Sequence, residues 1–485
     1  MVGPSKLQYS ATDPVSLNKG DSMSREDAVL PVSSEDEIRR TKTIIRKVDW
    51  RMLPLLGVLS ALSLIDRSNI GLARSAGMDH DLKLNIGARY SIATCVYFVP
   101  YILFQLPSNL FLRKLGVVQY LSFLVIAWGG VQISMGFVPT LGYLVFVRVL
   151  LGTFEAGFFP AMVYIITTWY TRHEVQKRLA AFYLIGVFVG GFSAIFAYAV
   201  TFLGGKAGVP AWSWIFIVEG GITVAFGIIA WFFLPGFPDQ NTFLTSDETA
   251  IVLDRVEKDR GDSLPDALTT EKILRHLLDW KLWAIGLMYM CATMPAYAIS
   301  FFVTLILRGM GWSESASFLL TAPPYIFAAF SIMFFAWLSD KYRQRAAVIG
   351  VQALMTLVGL LMTGFLHSPG GRYAGIFLAD AGSAGCIPGI LAYSSNNIVS
   401  HTKRAVSTAV LVSFGGVGGI FASLVFRQVD APNYRPGIYA TVACQLLMLV
   451  LLTITTVYYR RQNKSVHDGT ADSPLEGQDG FLYTL

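Results

Sequence analysis

The sequence has few charged residues, few cysteines and no motif of the common enzymes. Only 14% of its 485 residues are charged, against about 25% in an ordinary soluble domain. The four cysteines stand far apart in apolar segments, so we expect buried thiols rather than disulfides or a metal site. Walker A, HExxH and GxSxG sequences are missing, which argues against an ATP-driven pump of the common type and against a membrane enzyme. We expect no cofactor.

Apolar residues are abundant instead. They make up 54% of the chain, and the mean hydropathy is +0.52, values typical of a polytopic membrane protein. Twelve runs are long enough to cross a bilayer as helices, so we expect an all-α integral membrane fold. These predicted spans are Met52–Leu72, Tyr90–Leu112, Val117–Phe137, Leu141–Trp169, Leu179–Phe202, Trp214–Leu234, Leu282–Leu305, Ala316–Leu338, Ala347–Leu366, Tyr373–Tyr393, Ser407–Phe426 and Gly437–Tyr459.

Basic residues predict the orientation of these spans. With both ends of the chain in the cytoplasm, 28 of the 38 Lys and Arg residues fall on the inner side and 8 in outer loops. The net charge of +6 therefore follows from topology and does not indicate a nucleic-acid partner. We predict a mostly disordered cytoplasmic tail (1–50), a six-helix half (51–234), a central cytoplasmic loop (235–281), a second six-helix half (282–460) and a cytoplasmic tail (461–485), with disorder from Ser465 onward.

The two predicted halves carry a weak internal repeat. Lys177-Arg178 and Lys403-Arg404 are 226 residues apart, as are Gly190 and Gly416. Two parallel six-helix halves joined by one long inner loop are the layout of the major facilitator fold.

Several motifs are similar to those of the fungal anion:cation symporter branch of that superfamily, which includes allantoate and nicotinate permeases. The motifs are DRSNIGLAR (66–74), YFVPYILFQLPSNL (97–110), RVLLGTFEAGFFPA (148–161), WIFIVEGGIT (214–223), FLTSDE (243–248), DWKLW (279–283), LLTAPPYIFA (319–328) and HTKRA (401–405). The resemblance implies a secondary carrier that takes up a small organic anion with protons by alternating access. Relatives usually have Asp where this chain has Arg113, and Gly-Asn where it has Gly415-Gly416, so no exact substrate can be carried over.

Charged residues inside apolar spans are the first candidates for function, because each costs about 3 kcal/mol or more in hydrocarbon. Asp66 lies 15 residues beyond Arg51, about 22 Å along a helix. The resemblance implies that Arg67 binds the substrate carboxylate, with Asn69 nearby, and that Asp66 takes part in proton coupling. A local ion pair between Asp66 and Arg67 that only steadies the helix is the alternative.

The fourth span contributes a second charged pair. Arg148 and Glu155 are seven residues apart and share a helix face. By resemblance Arg148 is an anion-binding residue and Glu155 a protonatable one. The alternative is a purely structural ion pair between the two.

Further candidates are polar or charged residues that could also have ordinary structural or topological roles. Tyr101 matches a cavity-facing tyrosine of organic-anion carriers, and Tyr297 is a weaker candidate for substrate binding. Arg113, Asp340 and Arg343 occupy equivalent inner loops and are candidate gating residues, although they could merely follow the charge rule of inner loops.

Three other features carry competing interpretations. Glu219 matches a motif but favours a structural role, whereas Asp380 stands near the repeat position of Glu155 and could serve gating or coupling. The GxxxG pairs Gly186/Gly190 and Gly415/Gly419 predict close helix packing.

Function in other classes stays open at this point. An efflux carrier of the same fold or a nutrient sensor without transport activity would have much the same sequence. We expect a monomer in the plasma membrane, whose partners are the lipid bilayer, a small organic anion such as nicotinate, allantoate or a vitamin acid, and the proton.

Overall fold

The structure is a computed structural model that describes residues 34–238, 241–260, 270–399, 401–430, 434–470, 474–477 and 480–485. The regular structure in these residues is helical. The described residues 34–43 and residues 44–485 belong to separate units, and residues 44–485 contain the features considered below. Residues 1–33 of the tail (1–50) that was predicted to be mostly disordered lie outside the described part.

Six spans make up the first half of the chain. Eleven helical segments among the described residues are long and apolar enough to cross a membrane. The second expected span, which is divided into two helices, is not among them. The helices of the first half are Ser34–Ala73, then Arg89–Cys95 with Phe98–Leu115, Val117–Met135, Leu141–Glu155 with Phe158–Trp169, Arg172–Thr201 and Ala211–Phe233.

The second half also has six spans. Two shorter helices, Ser246–Arg260 and Thr270–Leu277, precede it in the connecting loop. Its helices are Trp280–Gly309, Glu314–Leu319 with Ala322–Tyr342, Arg345–Phe365, Pro369–Asn396, His401–Val425 and Arg435–His467. We call the side on which the first span begins and the twelfth ends the tail side, and the opposite side the far side.

Local sequence signals explain where several of these helices begin. Thr171 and Glu174 form a capping box at the fifth span, and Asp279 accepts the backbone N–H of Lys281 at the start of the seventh. Ser368 caps the tenth span in the same way, directly before Pro369. These side chains satisfy backbone donors that a helix start leaves unpaired.

Prolines divide the second and fourth spans. The second is interrupted at Val96-Tyr97 and the fourth at Ala156-Gly157. In each case a proline stands four residues after the first interrupted residue: Pro100 follows Val96, and Pro160 follows Ala156. Proline has no N–H, so the carbonyl of the interrupted residue lacks its usual helical hydrogen bond. Tyr97 and Glu155 therefore lie at helix discontinuities.

Pro295 has a different outcome, because a neighbouring helix compensates for it. It removes the helical partner of the Cys291 carbonyl in the seventh span. The Nε2 of Gln445, on the twelfth span, donates to that carbonyl at 2.6 Å. A lateral donor thus keeps the backbone satisfied in the apolar interior, and the helix continues from Trp280 to Gly309.

Close contacts join the two halves in the middle of the bundle and on the far side. The Oγ atoms of Ser75 and Thr304 are 2.8 Å apart, and Arg308 donates to the Ser75 carbonyl at 3.0 Å. A Cβ atom added at Gly71 would lie 2.7 Å from the carbonyl oxygen of Phe301. The first and seventh spans therefore approach each other at backbone distance.

The predicted glycine contacts are present in part. Gly186 packs on Leu64, and Gly419 packs on Phe98 of the opposite half. Gly415 lies against Tyr289, whereas a Cβ atom at Gly190 would meet nothing within 4 Å. The GxxxG spacing in the fifth span thus places one glycine, not two, at a helix contact.

The described residues at the end of the chain are ordered, contrary to the prediction of disorder from Ser465. The twelfth span continues to His467, and residues 474–477 and 480–485 pack on the tail side of the second half. Glu476 forms ion pairs with Lys281 at 2.7 Å and Lys403 at 2.8 Å. The tail is ordered because these cations, widely separated in sequence, converge on one carboxylate.

Candidate functional site

The centre of the bundle holds an arginine and a glutamate from different spans. Arg67 donates to the Oε1 atom of Glu155 from Nη2 at 2.6 Å and from Nε at 2.9 Å. Ser63, one helical turn before Arg67, donates to the same oxygen and also accepts from Arg67 Nη2 at 3.1 Å. The side chain of Glu155 is fully buried, while 11% of the Arg67 side chain is exposed. The arginine is therefore the more accessible member of the pair.

Tyrosines surround this pair and connect it with the second half. Tyr97, at the discontinuity of the second span, donates to Oε2 of Glu155 at 2.7 Å. The guanidinium of Arg67 lies 4.8 Å from the ring centroid of Tyr101, a cation–π distance. Its Nη1 donates to the hydroxyl of Tyr297 at 3.2 Å. Since Tyr297 belongs to the seventh span, the site lies between the two halves.

Asp66 and Asn69 lie inside the first half, away from Arg67. Asp66 accepts from Trp128 Nε1 at 3.0 Å and from Thr223 Oγ1 at 3.1 Å, which ties the first span to the third and sixth. Asn69 donates to Glu219. The structure therefore does not contain the Asp66–Arg67 ion pair considered as an alternative, because consecutive residues leave a helix about 100° apart.

Arg148 is 1% exposed, and its Nε and Nη2 atoms have no hydrogen-bond partner. It lies within electrostatic range of Glu155 and Asp66 but forms an ion pair with neither. Two turns separate Arg148 from Glu155, about 10 Å of helix rise. Helical side chains lean toward the N-terminus, so Arg148 leans away from Glu155 and leaves it to Arg67. The structural ion pair within the fourth span, which was the alternative interpretation of Arg148 and Glu155, is thus not formed.

The candidate gating residues do not meet across the halves in the described contacts. Asp340 pairs with Arg345 of its own half at 2.9 Å, and Arg343 is an exposed residue in the left-handed backbone region. The side chain of Arg113 lies outside the described part. A second described ion pair on the tail side also stays within one half: Arg178 pairs with Asp49 at 2.7 Å.

Sequence reasoning missed Ser63, Trp128 and Thr223. Ser63 was detectable, because a serine one turn before a buried arginine shares its helix face. The partners of Asp66 were not detectable, since they depend on which spans are neighbours in the bundle. Among the described residues, no group of three or more His, Cys, Asp or Glu side chains is arranged to hold a metal ion.

Comparison with known proteins agrees with this architecture. The chain is 29% identical over 466 residues to the MFS transporter prlL of Fungal sp. (strain NRRL 50135), which covers 93% of this chain and 92% of the relative. It is 30% identical over 434 residues to the major facilitator-type transporter hxnP of Emericella nidulans, covering 87% and 86%. Both are similar to this chain over most of their length.

Solved structures show the same fold. A bacterial homolog of the human lysosomal transporter Spinster, in an inward-facing and occupied conformation, superposes with a TM-score of 0.61 at 18% identity, covering 84% of this chain and 96% of that one. The expected all-α, twelve-helix major facilitator fold is confirmed. The family model described as Major Facilitator Superfamily matches residues 56–423, and the chain belongs to this superfamily of membrane transporters.

Proposed function

We propose that the protein is a secondary active carrier that takes up a small organic carboxylate together with protons by alternating access. Its substrate would be an acid such as nicotinate, allantoate or a vitamin acid, as the resemblance to the fungal anion:cation symporter branch suggests. The tail side would be cytoplasmic, with both termini inside and the carrier in the plasma membrane. The arrangement around Arg67 carries this proposal.

Arg67 has the properties of an anion-binding group. Its guanidinium keeps its charge when buried, remains partly exposed, and contacts both halves through Glu155 and Tyr297. A substrate carboxylate that displaced Glu155 would find the same donors, with the rings of Tyr97 and Tyr101 alongside. A ligand bound there would contact both halves and could thereby stabilise their closure around it.

Glu155 supplies a reason for coupling to protons. While ionised, it occupies the donors of Arg67, and a second carboxylate beside it would add an uncompensated negative charge in a site of low dielectric constant. Protonation of Glu155 weakens its hold on Arg67 and releases the guanidinium for the substrate. The substrate anion and a proton would then be bound together, and neither would bind well alone.

Alternating access is supported by the distribution of contacts between the halves. Polar contacts cross from one half to the other on the far side, as between Ser75 and Thr304. On the tail side, Asp49–Arg178 and Asp340–Arg345 join groups of the same half. This distribution fits a carrier that is closed on the far side and able to separate on the tail side.

The test is counterflow in proteoliposomes. Proteoliposomes that contain the purified protein would be loaded with one unlabelled carboxylic acid at a time, and the same acid in labelled form would be added outside. We expect counterflow with at least one acid, and net accumulation only when the outside is more acidic. A nutrient sensor would give no counterflow with any acid. An efflux carrier would accumulate substrate only through protein molecules that are inserted inside-out in the liposome membrane. Either result would contradict the proposal.

A further inference from the structure

A second carboxyl group lies deep in the second half without a charged partner. Asp380, in the middle of the tenth span, is 3% exposed. Its Oδ2 atom has no hydrogen-bond partner, and none of the ion pairs in the described part of the chain includes it. Glu155 differs in this respect, because Arg67 neutralises it.

The surroundings of Asp380 come from both halves. Small apolar side chains form a cluster around this level of the tenth span, with members from the fifth, eighth and tenth spans. They are Val187, Ala328, Ala329, Ile332, Ala381 and Ala384. The fifth span belongs to the first half and the other two to the second. Asp380 therefore lies beside a junction between the halves.

Only neutral groups face Asp380 in the described surroundings. The fifth span presents the phenol of Tyr183, and the eighth presents that of Tyr325. The seventh and ninth spans pack Ile299 and Leu360 against the neighbouring Ala379, and these do not titrate. With no cation near it, the charged form of Asp380 has no compensation while the junction is closed.

This isolation determines when Asp380 can ionise. A lone carboxylate in an apolar medium is so unfavourable that the group takes up a proton instead. It can lose that proton only when water reaches it, which requires the fifth span to move away from the eighth and tenth. Movement of one half against the other is the step that a major facilitator carrier uses to expose its site.

We propose that Asp380 is a second proton-carrying group of this carrier, which binds and releases a proton as the junction between the halves closes and opens. The proposal rests on the proposed function and extends it, since the other coupling candidates, Glu155 and Asp66, both belong to the first half. Asp380 also stands one residue before the position that the 226-residue repeat assigns to Glu155. The two halves would each contribute one proton site, and only the first would also hold an arginine.

Infrared difference spectroscopy of the purified protein, without substrate, tests this directly. We expect a carbonyl band of a protonated carboxylic acid in the wild type that decreases as the pH is raised. The contribution of Asp380 to this band should be missing in Asp380→Asn. It should be shifted in frequency in Asp380→Glu, which keeps an acid at this position and serves as the second variant should the amide variant not fold. The matched control is Asp254→Asn, which removes an exposed carboxylate paired with Lys258 in the connecting loop and should leave the band unchanged.

Two results would overturn the proposal. An unchanged band in Asp380→Asn would mean that Asp380 is already ionised. A band that belongs to Asp380 but does not titrate at any pH at which the protein stays folded would mean a permanently protonated structural group. These spectra need no substrate, so failure to find a transported carboxylate would contradict the proposed function and leave the assignment of Asp380 to be decided by the spectra.

A transport measurement separates coupling from mere protonation. For a carboxylate that shows counterflow, the number of protons moved per substrate should decrease by one in Asp380→Asn, as measured from the accumulation ratio that the substrate reaches at a fixed pH gradient with the membrane potential held at zero. An unchanged number would exclude Asp380 from coupling even if it titrates.

Discussion

Arg67 and Glu155 contact each other through only one of the two carboxylate oxygens. The Nη2 and Nε atoms of Arg67 both donate to Oε1, at 2.6 and 2.9 Å, while Oε2 accepts from Tyr97 at 2.7 Å. The Nη1 atom points to Tyr297 in the other half. The arginine therefore divides its donors between an acid that can be protonated and a hydroxyl across the interface.

Replacing Arg67 by lysine should weaken substrate binding. An ammonium cannot donate simultaneously to a substrate carboxylate and to Tyr297 in the geometry of a planar guanidinium. Loss of one charge-assisted hydrogen bond is worth about 1.5–3 kcal/mol, so the apparent KM for uptake should rise roughly tenfold to a hundredfold. Uptake kinetics in proteoliposomes measure this.

The control for this experiment is Arg461→Lys, an exposed residue near the end of the twelfth span. Its KM should equal that of the wild type. An Arg67→Lys variant that folds and keeps a normal KM would contradict the anion-binding role. Arg148→Lys tests the remaining prediction that this buried residue also belongs to the anion site.

Glu155→Gln should uncouple transport from the proton gradient. The amide imitates the protonated acid, so Arg67 stays available and exchange of labelled for unlabelled substrate should continue. Accumulation driven by an acidic outside should be lost. Asp66→Asn provides the comparison, because Asp66 lies in the same half but bonds to Trp128 and Thr223. Normal pH-driven accumulation in both variants would show that neither acid couples transport.

Gly71→Ala should destabilise the contact between the first and seventh spans. The added methyl would lie 2.7 Å from the Phe301 carbonyl oxygen, and overpacking of this kind typically costs about 1–3 kcal/mol. The free energy of unfolding in detergent should therefore decrease. Gly130→Ala is the control, since a Cβ atom there meets nothing within 4 Å. Equal stability of the two variants would mean that the spans separate without cost.

Acid should release the ordered end of the chain. Burial raises the pKa of Glu476, but hydrogen bonds from Lys281 and Lys403 outweigh it and the pKa falls below the ordinary 4.5. Because the docked pKa is depressed, the stabilisation is complete above the ordinary value and is lost as the pH falls through the docked value. The protection of the Tyr483 amide, which is its intrinsic exchange rate at a given pH divided by the observed rate, should thus decrease in acid.

The matched variant for this prediction is Glu476→Gln, which keeps the shape but removes the charge. It should show fast exchange at Tyr483 already at neutral pH. Glu314→Gln removes a carboxylate paired with Arg308 on the far side and should not alter exchange there. Slow exchange in Glu476→Gln would show that Tyr483 is held by its other contacts, such as the hydrogen bond that its backbone N–H donates to the side-chain Oδ1 of Asn463.

Sequence patterns predicted the fold far better than the partners of individual residues. Length, hydropathy and the 226-residue repeat report on single helices and on their order, and these were sufficient for the fold. The pairing of Glu155 with Arg67 instead of Arg148 depends on how two spans lie side by side. The proline discontinuities near Tyr97 and Glu155 were visible in the sequence as Pro100 and Pro160, but their consequence for the site was not.

The ordered tail illustrates the same limit. Composition after Ser465 is polar, which predicts disorder for a chain considered alone. Lys281 and Lys403 lie 195 and 73 residues away from Glu476. Only the folded bundle brings these charges together, so no local property of the tail could reveal its binding place.

The backbone contact at Gly71 determines how far the tail-side end of the first span moves when the span rotates. From Ile44 to Gly71 the first span extends 27 residues, about 40 Å of helix, so a rotation of about 10° around this contact would displace the tail-side end by about 7 Å. An opening of this width would be enough for the proposed small organic acid to enter, while the same rotation hardly moves the atoms at the pivot. Because Gly71 has no side chain, the first and seventh spans can stay in close contact at this pivot while the tail-side end of the first span moves far enough to open a passage.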